Sequence, residues 1–170
     1  MRAILLSLCL LCPALANAQD DANEAVAIGP WQIEASYRGA DFQRCVMRRT
    51  TEDGIDVSFS RDAGGLELRM ASPRWRLKRG DSYPVDLIAG STSIMTNVNA
   101  SKNAVSLAIE DERFLKALRL ADELDVKGAG STISVALDKS AAGLERLDTC
   151  YTKNTESTET NPFVAPSRKP

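Results

Sequence analysis

From Trp31 onward the chain alternates apolar and polar positions one residue at a time. Trp31, Ile33, Ala35 and Tyr37 interleave with Gln32, Glu34, Ser36 and Arg38, the period of a strand with one face in a core. Cys45 and Met47 then share a face opposite Val46 and Arg48. Asp53-Gly54 is a tight-turn signal, because glycine accepts a positive φ without a Cβ clash. Ile55, Val57 and Phe59 alternate with Asp56, Ser58 and Ser60, and after Ala63-Gly64-Gly65 the pattern returns as Leu66, Leu68 and Met70 against Glu67 and Arg69. Cys45 to Ala71 is therefore predicted to be a three-stranded meander with one face buried and one in water.

Ser72 to Gly80 is turn-rich and contains Pro73. Tyr83, Val85 and Leu87 mark the next strand, Ile94 to Val98 another, and Val105, Leu107 and Ile109 a third. The period then lengthens. Phe114, Leu115, Leu118 and Ala121 recur at helical steps, which predicts a helix over Asp111 to Ala121 with acids at its start to suit the dipole. Leu124 and Val126 begin a strand, Gly128-Ala129-Gly130 breaks it, and Ile133, Val135 and Leu137 follow. Ser140 is placed to cap a second helix carrying Leu144, Leu147 and Tyr151 on one face, with Cys150 at its end. About nine strands and two short helices predict a mainly β (α+β) fold, an antiparallel β-sandwich or open barrel.

Outside this region the pattern changes. Residues 1–18 combine Arg2, an apolar run from Ala3 to Cys12 and the small-x-small site Ala16-Asn17-Ala18, the order of parts in a secretory signal peptide cleaved after Ala18. The run is too short to span a bilayer, which takes about 20 apolar residues. Residues 19–28 read as a flexible lead-in, 29–152 as a single β-rich domain, and 153–170 as a polar, disordered tail. The expected location is periplasmic or secreted, and the mature chain holds no apolar stretch long enough to span a membrane.

Composition narrows the chemistry. The formal charge is −2, and nucleic acid is not an expected partner. The chain contains 0 histidines, which removes Ser-His-Asp triads, Cys-His pairs and histidine zinc sites. Cleavage leaves Cys45 and Cys150, which in an exported domain are expected to form a structural disulfide. No metal site and no cofactor is expected.

Arg74-Trp75-Arg76-Leu77-Lys78-Arg79-Gly80 sets four cations around one indole, with Arg69 nearby in sequence. Such a set holds a phosphate, a sulfate or an anionic sugar while the ring stacks on an apolar face. The alternative is that Trp75 anchors the loop to the core and its charged neighbours are solvated flanks. Arg44, Arg48 and Arg49 form a second cluster whose meaning depends on strand register. The acids Glu52-Asp53, Glu110-Asp111-Glu112 and Asp122-Glu123 leave open a carboxylate hydrolase, although turn and helix-start roles also account for them. Lys139-Ser140 has the composition of a Ser-Lys nucleophile pair, but adjacent residues rarely aim at each other on a helix.

Trp75, Gly80, Tyr83-Pro84-Val85 and the closing run from Leu137 to Cys150 resemble a set of small exported proteins of alphaproteobacteria. In size, address and β-content the chain is also similar to invasion-associated locus B-type periplasmic proteins. The resemblance spans roughly Gly29 to Cys150. It implies a β-sandwich of the envelope, and it carries over no catalytic residue. The sequence thus reads as an exported, non-catalytic binding or accessory protein of the cell envelope, with an envelope or host protein or an anionic glycan as partner. A histidine-free carboxylate hydrolase and a secreted inhibitor are the alternatives.

Overall fold

A computed structural model describes residues 25–158; the expected signal peptide at 1–18 lies outside them. The strands are β1 (Val26–Ile28), β2 (Trp31–Arg38), β3 (Asp41–Thr50), β4 (Asp56–Asp62), β5 (Gly65–Ala71), β6 (Ser82–Ala89), β7 (Thr92–Ala100), β8 (Ala104–Ile109), β9 (Glu123–Lys127) and β10 (Thr132–Ala136). Two helices, α1 (Glu112–Leu120) and α2 (Ser140–Thr158), interrupt and close the chain. Hydrogen bonding joins all ten strands into one antiparallel sheet, in the order β1-β2-β3-β4-β5-β8-β7-β6-β9-β10.

The sheet folds over because one pair hardly pairs. β7 and β8 meet only at Asn99 with Ser106 and Ala100 with Val105, then diverge. Alternation places one side chain in two inward on both halves, and their inner faces supply one core. Trp31, Met47, Phe59 and Leu68 come from one half, and Val85, Leu87, Val98, Leu124 and Val126 from the other. The result is an open sandwich, as the alternation predicts.

The helices fill the gap between the halves at one end. Asp111 precedes α1 and accepts from the Phe114 backbone N–H at 2.9 Å, which is the N-cap bond expected of an acid at that position. Phe114 and Leu118 go into the core. α2 lies on β2, β3 and β4, and Gly143 lets it seat closely on Met47: a Cβ there would sit 2.8 Å from Met47 Sδ and displace the end of that side chain. Cys45 on β3 and Cys150 on α2 form the expected disulfide, with Cα atoms 6.1 Å apart.

Three sequence expectations need correction. Val26–Ile28, assigned to the flexible lead-in, is a strand paired to Trp31–Ile33. α2 is not short: it runs to Thr158, so 153–158 is helix rather than tail. There Tyr37 Oη donates to Asn154 Oδ1 at 2.6 Å, and the Asn154 side-chain amide donates to the Cys150 carbonyl at 2.8 Å. These bonds supply the anchoring that apolar residues supply elsewhere. Finally, Ser140 is the first residue of α2 rather than the residue before it. Ser140 is buried and Lys139 exposed, which separates the Ser-Lys pair.

Candidate functional site

The loop 72–80 crosses from β5 to β6 and is held by backbone hydrogen bonds to the 100–103 turn. Ser72 N–H donates to the Asn103 carbonyl, Leu77 N–H to Lys102 and Gly80 N–H to Ala100, each at 3.0 Å. Along this fixed backbone the side chains alternate. Trp75 and Leu77 are half-buried against the core, while Arg74, Arg76, Lys78 and Arg79 are exposed.

Trp75 and Leu77 form one wall of a cleft of about 330 Å³. Met70 and Val105 floor it from one half of the sheet, and Val85, Val98, Val126 and Ile133 come from the other. Gly128-Ala129-Gly130 and Ser131 form its lip beside Tyr83. It opens between the halves of the sandwich at the strands α2 does not cover. The three small lip residues leave room where a larger side chain would close the gap. The lining is overwhelmingly apolar, and the volume lies at the lower end of the roughly 300–1,000 Å³ usual for small-molecule sites.

None of the loop's four cations lines the cleft itself, and two of them are held by backbone carbonyls. Arg74 Nη2 donates to the Asp53 carbonyl, and Arg76 Nη1 donates to the carbonyls of Pro73 at 2.7 Å and Trp75 at 2.9 Å. Lys78 faces Asp81 at 3.7 Å. Lys102 joins them through the turn that holds the loop. Asp81 adjoins the loop in the chain and Asp53 is brought beside Arg74, so positive charge predominates on the loop.

Arg69 does not belong to this group. Its neighbour Met70 points into the cleft, whereas Arg69 lies on the outer face of β5. Register aligns Gln32, Arg48, Ser58, Arg69, Ser106 and Asn99 in one row across the strands. Within that row Arg48 is ion-paired to Glu34 at 3.0 Å. The second arginine cluster therefore divides. Arg49 is directed to the end of the sandwich, where Nη1 donates to the Ala136 carbonyl at 2.6 Å and the guanidinium lies 5.3 Å from the Trp31 ring centroid.

The acids named in the sequence scatter. Asp111 caps α1, and the Phe114 N–H holds its carboxyl below the usual carboxylate value, with Arg113 acting in the same direction. The Asp53 carbonyl serves Arg74. No group of three or more potential metal ligands occurs among the described residues. No helix among them is long and apolar enough to cross a membrane.

The cleft itself was not legible in the sequence. Its walls come from six strands and two loops, and Gly128-Ala129-Gly130 at its lip reads in the sequence only as a strand break.

No protein-family model matches the chain, and no curated protein does. Among solved structures it is similar in fold to invasion associated protein B from Bartonella henselae. The TM-score is 0.55 at 17% sequence identity, over 74% of this chain and 95% of that one. The likeness is one of fold, and it agrees with the similarity to invasion-associated locus B-type proteins drawn from the sequence.

Proposed function

We propose that this chain is an exported, non-catalytic binding protein of the cell envelope, periplasmic or secreted, and that the loop 72–80 is its recognition element. One observation carries the reading. The loop is fixed to the 100–103 turn and holds Trp75 against the core, while it sets Arg74, Arg76, Lys78 and Arg79 outward. A rigid, cation-bearing edge beside an indole suits an anionic partner, either a glycan or an acidic protein surface. The Cys45–Cys150 disulfide fits an oxidising compartment.

The test is charge reversal of two exposed side chains. Arg76→Glu with Lys78→Glu should elute from a sulfated-polysaccharide column at markedly lower salt than the wild type, with the circular dichroism spectrum unchanged. Equal elution of the two proteins would remove the loop from the reading.

A further inference from the structure

We infer that the cleft behind Trp75 is a binding site for the alkyl chain of a fatty-acid carboxylate. The inference goes beyond the reading of the loop; only the choice of an anionic head rests on that reading.

The argument begins with the lining. Met70, Trp75, Leu77, Val98, Val126 and Ile133 offer hydrocarbon and an indole face, with almost no side chain able to fix a polar ligand in the interior. A sugar ring placed here would lose its hydrogen bonds to water without replacement, at a cost that apolar contact does not offset. An alkyl chain has no such loss, and each buried methylene improves binding by about fourfold. The volume sets the size of the occupant. At about 330 Å³ the cleft is at the small end of the roughly 300–1,000 Å³ range of small-molecule sites, room for one chain rather than two.

Charge complementarity fixes the head. None of the cations lines the apolar interior; Arg74, Arg76, Arg79 and Lys102 lie on the loop and turn that carry Trp75 and Leu77, and Lys78 there is paired with Asp81. A carboxylate at the mouth meets donors of opposite charge while its chain lies inside. The fold supplies the lip that admits it. At Gly130 a Cβ would meet nothing within 4 Å, so the lip is open rather than packed, and a larger residue can be introduced there without displacing the core.

Calorimetric titration of the full mature chain with octanoate, decanoate and dodecanoate tests this directly. Affinity should rise about fourfold per added methylene up to the capacity of the cleft. Gly130→Trp, which sets a large side chain on the lip, should weaken decanoate by at least tenfold and leave the circular dichroism spectrum unchanged. Decyltrimethylammonium should bind more weakly than decanoate. Absence of binding, affinity independent of chain length, or full affinity in Gly130→Trp would overturn the site. A cation bound as tightly as the carboxylate would overturn the choice of an anionic ligand. Retention on the sulfated column involves no alkyl chain, so failure of the loop reading and failure of the cleft are separately visible.

Discussion

Arg49 shows how one side chain holds the open end of this sandwich together. The sheet does not close by strand pairing, yet Arg49 on β3 donates to the Ala136 carbonyl on β10 and faces Asp138 at 3.7 Å. Beneath it Trp31 Nε1 donates to the Asp138 carbonyl at 2.9 Å. Arg49 Nε is buried without a hydrogen-bond partner, so the indole face supplies part of what water would. Arg49→Met should lower stability by about 1–3 kcal/mol in urea unfolding. Arg49→Lys should restore little of it, because an ammonium cannot both reach the carbonyl and lie flat on the ring. A second residue-scale expectation concerns acid. The Asp111 carboxyl is depressed below its ordinary 3.8 by the Phe114 N–H. A depressed carboxylate stabilises the fold above its unfolded value, and that contribution is lost as pH falls through the folded value. The stability advantage of the wild type over Asp111→Asn should therefore shrink as pH is lowered below about 4. An advantage that stays constant with pH would show that the charge of Asp111 plays no part. Little of this was legible in the sequence. Strand parity sets Arg49 apart from Arg44 and Arg48, but its partners on β10 and beyond meet it only once the sheet has bent.

At the scale of elements, period-two alternation located every strand from β2 to β10, because each has one face in the core and one in water. β1 escaped because three residues are too few to show a period. The end of α2 escaped for a different reason. Residues 152–158 carry no apolar stripe, and their helix is anchored by Tyr37 and Asn154 instead. Tyr37→Phe should cost about 0.5–1.5 kcal/mol and lower amide protection selectively over 152–158, measured by hydrogen exchange. Uniform loss across α2 would show that Cys150 rather than Tyr37 holds the segment. The disulfide spans 105 residues, for which loop-closure arguments give about 4–5 kcal/mol. Replacing Cys45 and Cys150 together by alanine should lower the urea midpoint accordingly and leave the antiparallel sheet signature in circular dichroism. An unchanged midpoint would mean that the core packing of Leu144 and Leu147 alone secures α2.

Across the whole molecule, cover is unequal. α2 packs on β2 to β4, Asp148 ties it to Arg119 on α1 at 2.7 Å and to Arg61 on β4 at 3.7 Å, and the cleft beside the loop 72–80 is lined by β5 to β10 instead. The strands that line the proposed site are not those on which α2 chiefly packs. The cationic loop could be read in the sequence. The apolar cleft behind it could not, since its walls meet only once the sheet has bent. The most direct measurement is a two-dimensional amide NMR titration of the labelled chain with decanoate. Shifts should concentrate in 72–85 and 126–133, with smaller changes at Val98 and Val105 and none in α2. Shifts centred on α2 or on the outer face around Arg48 and Arg69, or no localised shifts at all, would contradict the account.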